Sequence, residues 1–384
     1  MDKVMRILHT ADLHLGRQFN GIPLDADHGA VLDQIVSAIT SNRVDVLVIA
    51  GDIFDRAAPP TSAVRQFNRF LARVASETAA AVVMIAGNHD SGDRIASMSI
   101  MTDARRALIR GAISADEQPL VLTDAYGPVA FTGLPFAYEY AARECFADET
   151  LHTPEDVLAA QVSCGKRNIP DDARWVVVSH AFITGASSSE SERPLTRVGG
   201  VETVSSAVFE GAHYVALGHL HRPQSVGASH IRYSGSPLAF GFDELDCQKS
   251  MSLVEIDAVG RATIEIIPFE PIRRVRILKG RHAELLLVER SDDFIKVVLT
   301  DDAPVIDGMK RIRAVFPNAC ELTYARNERA PAVSLLVGRA LAVANPVEVI
   351  GDFLEHVRED RISENELAVV ASALGRLRET EDMQ

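Results

Sequence analysis

The first half of the chain alternates short apolar runs with amphipathic segments. The runs are rich in β-branched residues and continuously apolar, which is typical of strands covered on both faces. The predicted strands are residues 6–9, 44–50, 82–86, 175–179 and 214–217. Because helical patterns separate several of them, the sequence predicts a layered α/β domain.

Apolar residues recur at helical spacing in two of the intervening segments, residues 31–39 and 64–74. The second of these helices is expected to be capped near Thr61 or Ser62. A third helix is expected to begin at Thr153, because Pro154 follows it and proline is favoured at the first helical position.

The pattern changes after about residue 234. Residues 251–256 and 262–268 predict a hairpin that closes the first domain, and Pro268 and Pro271 then mark a boundary. A shorter α/β segment follows, with strands at 294–299 and 319–323 and a helix at 305–316. The tail is predicted to be helical at 346–358 and 363–379, with Ser363 and Glu366 as a capping box.

Charge changes this picture. The chain has 384 residues, and 53 acidic against 39 basic residues give a formal net charge of −14. From residue 351 onward, nine acids face four arginines. A field of this sign repels nucleic acids and anionic membranes, so composition alone argues against a DNA-binding protein.

Other composition features concern the compartment. The four cysteines form no C-x-x-C pair, which indicates a reducing compartment and disfavours both disulfides and a thiolate zinc site. No apolar run approaches the roughly 18 residues needed to span a bilayer, and the first ten residues lack the apolar region of a signal peptide. We therefore expect a cytoplasmic protein without a membrane partner.

Five polar loops follow predicted strands, most of them immediately. In an open α/β sheet, ligands bind beyond the carboxyl ends of the strands, so these loops should bring Asp, His and Asn side chains to one edge. Such donors suit Mn²⁺, Mg²⁺, Fe²⁺ or Zn²⁺, and they suffice for two ions that share a carboxylate. The loops are Asp12-Leu13-His14, Gly51-Asp52-Ile53-Phe54-Asp55, Gly87-Asn88-His89-Asp90, Ser179-His180 and Gly218-His219-Leu220-His221.

Each loop also has an ordinary structural interpretation. Asp12 can cap a turn, Gly-Asp and Gly-Asn-His are common turn sequences, and a single histidine at a strand end is usually a hydrogen-bonded core residue. The Gly-His-x-His sequence is more specific, since alternate residues of an extended chain face the same way. The five loops together favour a metal centre.

The loops resemble the motifs of the calcineurin-like metallophosphoesterase superfamily: D-x-H, G-D-x-x-D, G-N-H-D/E, a lone His and G-H-x-H. Across residues 6–275 the chain more narrowly resembles the SbcD nuclease family of bacteria. That resemblance rests on residues 7–16, 191–195 with Gly199-Gly200, 216–224, 233–237 and 242–244.

The resemblance implies a layered β-sandwich flanked by helices in a nuclease domain at 1–270. It further implies a small α+β cap domain at 271–345 and a C-terminal helical segment at 346–384 that is a candidate for docking an ATPase partner. One metal site would use Asp12, His14, Asp52 and His221, and the other would use Asp52, Asn88, His180 and His219, with Asp52 bridging. His89 would act on the scissile phosphate. Asp90 is assigned to the catalytic group with His89, and both Asp90 and Asp55 would orient histidines.

The implied activity is two-metal hydrolysis of DNA, with two Mn²⁺, or Mg²⁺, as cofactors. It comprises double-strand 3′→5′ exonuclease, single-strand endonuclease, and hairpin and blocked-end processing in DNA repair and recombination. The implied partners are DNA, a second copy of the chain and the coiled-coil ATPase SbcC, together a heterotetramer in which the partner protein uses ATP. The alternatives are a phosphatase or small-nucleotide phosphodiesterase on the same fold, and a non-enzymatic scaffold.

Three further features carry two interpretations each. The basic run that begins with Arg273, Arg274 and Arg276 is either a solvated edge or a contact with DNA phosphates. The serine-rich stretch 187–191 is predicted to be a mobile loop, or else a segment that flanks the substrate. Histidines outside the motifs are expected to be solvated or locally bonded: His28, His152, His213, His230, His282 and His356.

Overall fold

The five predicted apolar runs and the predicted hairpin lie in two six-stranded sheets, which also contain strands that the sequence pattern did not predict. In the first sheet the order is β16 (Ala262–Pro268), β15 (Ser250–Ile256), β1 (Arg6–Thr10), β4 (Val46–Ala50), β5 (Ala81–Ile85) and β6 (Ala107–Arg110). In the second it is β13 (Gln224–Val226), β14 (Ala228–Tyr233), β12 (Tyr214–Gly218), β9 (Arg174–His180), β8 (Gly127–Leu134) and β7 (Leu120–Asp124). The predicted hairpin is the β15–β16 pair, which extends the first sheet through β1.

The computed structural model describes residues 3–100, 103–192, 196–197, 200–201 and 203–325, together with Ser363, Glu366 and Val369. The chain divides into two compact units, Met1–Leu322 and Thr323–Gln384. The predicted helix at 346–358, most of the one at 363–379, and His356 lie outside the described residues. The predicted capping box is confirmed, since the Ser363 N–H donates to the Glu366 carboxylate at 2.9 Å and the Glu366 N–H donates to the Ser363 hydroxyl at 3.4 Å.

Alternation along the strands divides their side chains between two cores. Ile7 and Val48 of the first sheet pack with Val176 and Tyr214 of the second, so the two sheets face each other. The opposite face of the first sheet, which includes Leu47, packs against helices. This is the predicted layered α/β fold with a β-sandwich at its centre, and both faces of the central strands are buried as their apolar runs require.

Helices cover the outer faces of the sheets. Apolar positions predicted for the first helix are buried against the first sheet, and Thr153 accepts a hydrogen bond from the Asp156 N–H as the predicted cap of the third. The predicted cap of the second helix is wrong: Pro60 occupies the N-cap with φ −64° and makes no side-chain hydrogen bond, because it has no acceptor. The helices are α1 (Asp25–Ser41), α2 (Thr61–Glu77), α3 (Gly92–Ser97), α4 (Glu139–Phe146) and α5 (Pro154–Lys166).

Smaller elements complete the described chain. Two short hairpins are β2 (Gln18–Phe19) with β3 (Ile22–Pro23) and β10 (Thr196–Arg197) with β11 (Gly200–Val201). A third sheet has the order β17 (Val275–Gly280), β18 (Phe294–Leu299) and β19 (Ala319–Tyr324), accompanied by α6 (His282–Leu285) and α7 (Gly308–Val315). Within the ranges that the structure describes, no helix is long and apolar enough to cross a membrane.

The parallel strands determine where the polar loops meet. In the first sheet β1, β4 and β5 run parallel, so the loops that follow them leave from one edge. In the second sheet β9 and β12 are parallel neighbours, and Gly218 lies opposite His180 in register. The five loops predicted to bind metal therefore emerge at the carboxyl ends of strands from both sheets.

Candidate metal centre

Four of the predicted ligands have a left-handed backbone. The φ angles are 54° at Asp12, 45° at His14, 49° at Asp52 and 102° at His219. This region costs a non-glycine residue about 1–2 kcal/mol. Hydrogen bonds between two loops hold it in place, since Asp12 N–H donates to Gly51 O and His14 N–H donates to Asp52 O, both at 3.0 Å. Strain maintained in this way is typical of functional sites.

The glycine of each motif permits the close approach of these loops. A Cβ at Gly87 would lie 2.2 Å from Oδ1 of Asp52, and a Cβ at Gly218 would lie 1.9 Å from the Ala50 carbonyl oxygen. Neither distance is sterically allowed. The glycines in G-D, G-N-H and G-H-x-H therefore serve packing at the site, which a turn interpretation alone does not explain.

The seven predicted ligands converge on one buried cluster. Nε2 of His14 lies 3.1 Å from Nε2 of His221 and 3.6 Å from Oδ2 of Asp52. On the other side of Asp52, Nε2 of His180 lies 3.5 Å from the same oxygen and 2.9 Å from Oδ1 of Asn88. The Asp52 carboxylate thus lies between two groups of donors, as a bridging ligand must.

The remaining two predicted ligands complete these groups. Nδ1 of His219 lies 3.1 Å from Oδ1 of Asn88, and its main-chain N–H donates to Oδ1 of Asp12 at 2.9 Å. Oδ2 of Asp12 is buried without a hydrogen-bond partner among the described residues. Ligand atoms of Asp12, His14 and Asp52 lie within 4.8 Å of one another, so this side of the cluster can hold a cation.

The charges of the cluster favour a cation as well. Burial raises the pKa of Asp12 well above its ordinary value. Burial acts the same way on Asp52, but His180 and then His14 outweigh it and hold the pKa of Asp52 well below its usual range. Burial is likewise outweighed at His180, where Asp52 and Asp12 raise the pKa to about 9. His180 compensates part of the negative charge of these two neighbouring buried carboxylates, and a divalent cation would compensate the rest.

His89 stands beside the cluster with one ring nitrogen committed. Its Nδ1–H donates to the main-chain oxygen of Asp55 at 2.8 Å, and its Nε2 lies 4.0 Å from Oδ2 of Asp52. The Asp55 carboxylate instead lies near His14, with Oδ1 3.6 Å from the His14 Nδ1. Asp55 therefore orients one histidine through its backbone and lies near a second through its side chain.

Asp90 has different partners from those expected of a group that orients a histidine. Its carboxylate accepts main-chain N–H groups from Gly87 at 3.0 Å, Ile53 at 3.1 Å and Phe54 at 2.9 Å. Burial, followed by the charge of Asp52, raises the pKa of Asp90 to about 7. In this structure Asp90 joins the second and third metal loops through their backbones and does not hold an imidazole.

A cleft of about 470 Å³ opens on His89. Its walls include Asp55, Ser191 and two arginines, Arg17 and Arg56. The Arg17 guanidinium lies 4.5 Å from the Phe240 ring centre and donates to the Ser191 carbonyl at 2.9 Å, so it is held in a fixed position. Arg17 and Arg56 therefore bring positive charge to the cleft beside His89, and Asp55, whose Oδ1 lies 3.4 Å from Nη1 of Arg17, offsets part of it.

Sequence reasoning missed a buried polar group behind His221. Ser191 Oγ lies 2.6 Å from Nδ1 of His221 and also bonds to the Glu244 carboxylate, which pairs with Lys249. The expectation of a mobile serine loop does not hold for Ser191, because its side chain is part of this group. Residues 191–192 and 242–244 belong to the motifs that resemble the SbcD family. Because the two segments are about 50 residues apart, no pattern in the local sequence predicts their contact.

The basic run is partly engaged within the protein. The Arg273 guanidinium pairs with buried Asp27 of α1 and lies 4.4 Å from the Phe294 ring centre. Arg276 pairs with Asp293 at 3.2 Å, whereas the side chain of Arg274 is exposed. Contact with DNA stays a prediction for all three arginines, and Arg274 is the most accessible of them.

Two of the histidines outside the motifs differ from a solvated environment. His28 is fully buried in α1, and burial lowers its pKa to about 4. His282 is buried too, and its Nε2 lies 3.2 Å from the Gly308 carbonyl oxygen. It is therefore locally bonded, which was one of the two predicted environments. The prediction of a solvated or locally bonded histidine is wrong for His28, because helix packing encloses the ring and neither ring nitrogen has a hydrogen-bond partner among the described residues.

Comparison with known proteins assigns the chain to a family. The family model for calcineurin-like phosphoesterases matches residues 5–223, and a second, described as the type 5 capsule protein repressor C-terminal domain, matches residues 268–358. The SbcD component of the nuclease SbcCD from Staphylococcus saprophyticus is 32% identical over 323 residues, which cover 83% of this chain and 84% of that protein.

Among solved structures, one described as GAP50, the anchor in the inner membrane complex of Plasmodium, is 12% identical. It matches with a TM-score of 0.40 over 84% of this chain and 97% of that one. The family match over more than half of the chain and the identity to the staphylococcal protein decide the assignment. The chain belongs to the calcineurin-like phosphoesterase family and, within it, to the SbcD nucleases.

Proposed function

We propose that this chain is the nuclease component of an SbcCD-type complex and hydrolyses DNA phosphodiester bonds with divalent metal ions. The observation that carries the proposal is the convergence of seven donor side chains from five strand-end loops on one buried cluster beside His89. A phosphate placed in the cleft would lie beside His89, whose Nε2 is 4.0 Å from Oδ2 of Asp52 in that cluster.

The residues present fit the metals that the family implies. Carboxylate, imidazole and amide donors suit Mn²⁺ or Mg²⁺, and the buried Oδ2 of Asp12, which has no hydrogen-bond partner among the described residues, is available as a ligand atom. Asp12, His14, Asp52 and His221 would hold one ion, and Asp52, Asn88, His180 and His219 the other. When bound, two such ions neutralise the phosphate and lower the pKa of bound water towards roughly 7. We propose Mn²⁺ as the activating metal.

His89 is proposed as the proton donor. Because its Nδ1–H is held by the Asp55 carbonyl, the mobile proton belongs on Nε2, the ring atom on the side of the cluster. The 3′ oxygen that leaves DNA is a poor leaving group, and a positioned imidazole that protonates it contributes roughly 10²–10⁴-fold. Arg17, held over Phe240, would bind a phosphate oxygen and orient the strand.

The proposed complex contains more than this chain. The named relative is one subunit of a nuclease, which supports a partner protein here. We propose a homodimer of this chain joined to two copies of an SbcC-type coiled-coil ATPase, with ATP used by that partner and docking through the C-terminal segment at 346–384. The domain boundaries at 270/271 and 345/346 are part of the same proposal.

The experiment is a cleavage assay on a hairpin-ended duplex with Mn²⁺, run with and without the ATPase partner. We expect hairpin opening, 3′→5′ digestion of free ends and nicking of single strands, with ATP required only where the partner is present. A small phosphomonoester run in parallel is the control. Turnover of that compound far above turnover of DNA would show that the chain is a phosphatase, and Mn²⁺ binding without any hydrolysis would show that it is a scaffold.

A further inference from the structure

His221 is held at its ring and on both sides of its main chain by two segments distant in the chain, residues 191–192 and Lys249. Its carbonyl oxygen accepts from the Lys249 ammonium at 2.7 Å, and its N–H donates to the Glu192 carboxylate at 2.5 Å. Its ring nitrogen Nδ1 lies 2.6 Å from Oγ of Ser191. Glu192 and Lys249 are buried, and Ser191 is half-buried at the wall of the cleft.

The directions of the hydrogen bonds in this group follow from proton counting. Lys249 forms a buried ion pair with Glu244, so the carboxylate is ionised and can only accept. Ser191 has one hydroxyl proton, and the ionised Glu244 carboxylate takes it in preference to the neutral Ser189 hydroxyl, which lies 3.3 Å away and itself donates to Glu192. The Ser191 oxygen can then only accept from His221, which places the histidine proton on Nδ1. Nε2 of His221 is left with a free lone pair, 3.1 Å from Nε2 of His14.

We propose that Ser191 is a positioning residue for the metal centre, which with Glu244 fixes the tautomer and orientation of His221 so that Nε2 is the ligand atom. This inference rests on the proposed metal-dependent function and concerns the site that would use Asp12, His14, Asp52 and His221. His180 is fixed by a simpler device, because its Nδ1–H donates directly to the Ala50 carbonyl at 2.9 Å.

Loss of the hydroxyl would release both constraints. Without Oγ of Ser191, the imidazole can rotate about its side-chain bonds or carry its proton on Nε2, and the second form cannot bind a metal through Nε2. Removing the group that orients a ligating histidine typically costs 10- to 100-fold in metal affinity. The site that would use Asn88, His180 and His219 does not contain His221, so its affinity should stay close to that of the wild type.

Calorimetric titration of the metal-free full chain with MnCl₂ tests this. In Ser191→Ala we expect one of two binding steps to weaken by about 10- to 100-fold. Ser191→Thr keeps the hydroxyl and should restore it, and Ser188→Ala, an exposed serine of the same loop, should match the wild type. Equal affinities for both ions in Ser191→Ala and wild type would overturn the proposal. So would equal losses in Ser191→Ala and Ser191→Thr when thermal melting shows both variants folded.

A spectroscopic measurement reads the tautomer directly and needs neither metal nor DNA. Long-range ¹H–¹⁵N correlation of ¹⁵N-histidine-labelled, metal-free protein at mildly alkaline pH should show His221 protonated on Nδ1, with His221→Gln identifying its signals. Ser191→Ala should shift these signals towards the Nε2–H form, and Ser191→Thr should not. If His221 in the wild-type protein were protonated on Nε2, the proposed role of Ser191 and Glu244 would be excluded.

The two proposals fail in different ways. If the chain binds two Mn²⁺ ions and shows the expected tautomer but cleaves no DNA, the nuclease function is wrong and the role of Ser191 stands. If DNA is cleaved normally while Ser191→Ala changes neither the tautomer nor Mn²⁺ affinity, the nuclease function stands and the role of Ser191 is wrong.

Discussion

The backbone conformation of individual residues at the candidate site is constrained, in addition to the chemistry of their side chains. Asp12, His14, Asp52 and His219 lie in the loops that follow strands and have left-handed backbone conformations. These conformations bring their side chains together in the metal cluster. Main-chain carbonyls then orient the neighbouring rings, as the Ala50 oxygen does for His180. The site is therefore preorganised by its backbone, and substitutions that leave the loops intact should separate metal binding from proton transfer.

His89→Ala is the sharpest such substitution. We expect DNA cleavage to fall by about 10²-fold or more, because the proposed proton donor is removed. Mn²⁺ binding should be retained, because His89 is not among the proposed ligands. Rates on a hairpin-ended duplex and calorimetric titration with MnCl₂ measure the two properties, with exposed His152→Ala as the matched control. Wild-type turnover in His89→Ala would refute the assignment.

Asp52→Ala should lose metal binding as well as activity. The Asp52 carboxylate lies between the two groups of donors, 3.6 Å from the His14 ring nitrogen and 3.5 Å from that of His180. We therefore expect both ions to be lost, and activity with them. Metal content of the purified variant by mass spectrometry checks this against Asp33→Ala, an exposed aspartate of α1. Retention of even one ion at full occupancy would show that Asp52 does not bridge.

At the scale of elements, one ion pair joins the start of the third sheet to α1. The Arg273 guanidinium approaches the Asp27 carboxylate, which is only 1% exposed, from the segment just before β17. Sequence reasoning treated Arg273 as part of a basic run, because its acidic partner lies far away along the chain. A buried partner gives this arginine a role in stability that the exposed Arg274 does not have.

Arg273→Ala should therefore destabilise the fold. Asp27 would be left buried without its partner, and breaking such a pair costs about 3 kcal/mol, the lower end of the usual range because Arg273 is itself partly exposed. Denaturant unfolding followed by circular dichroism measures the change in the free energy of unfolding. Arg274→Ala is the control and should change stability little. Equal stability of the two variants would mean that the Asp27 pair contributes nothing.

At the scale of the whole molecule, the net charge of −14 opposes binding to DNA, whereas the cluster gains positive charge with each divalent ion that binds. Nine of the acids lie at residues 351–384, remote in sequence from the loops of the site. The overall charge is thus a poor guide to the local field at the cleft, where Arg17 and Arg56 lie.

DNA affinity of the chain alone should therefore be weak and depend on metal. Fluorescence anisotropy with the His89→Ala variant allows Mn²⁺ to be present without cleavage. We expect tighter binding with Mn²⁺ than with a chelator. Arg274→Glu should lower the slope of log affinity against log salt by about one if that arginine contacts a phosphate. Identical affinity with and without Mn²⁺ would show that the cluster does not contribute to DNA binding.

Much of the fold was predictable because its signals are local. Continuously apolar runs predicted the central strands of both sheets, and helical spacing predicted the apolar face of α1. The hairpin of β15 and β16 followed from two short runs joined around Gly260. The cap of α2 was mispredicted, because Pro60 sets the entry of the chain through its fixed φ and not through a side-chain acceptor.

The amino-acid sequence by itself determined which chemistry is available, since strand-end loops with fixed spacing supply the aspartates, histidines and Asn88 at one edge of two sheets. Only the tertiary structure decided how those groups are held. Ser191, Glu244 and Lys249 meet behind His221, and Asp90 turns to backbone amides, through contacts between segments distant in the chain. Spacing along a chain specifies neighbours within an element, whereas the partners of a buried polar group depend on which elements pack together.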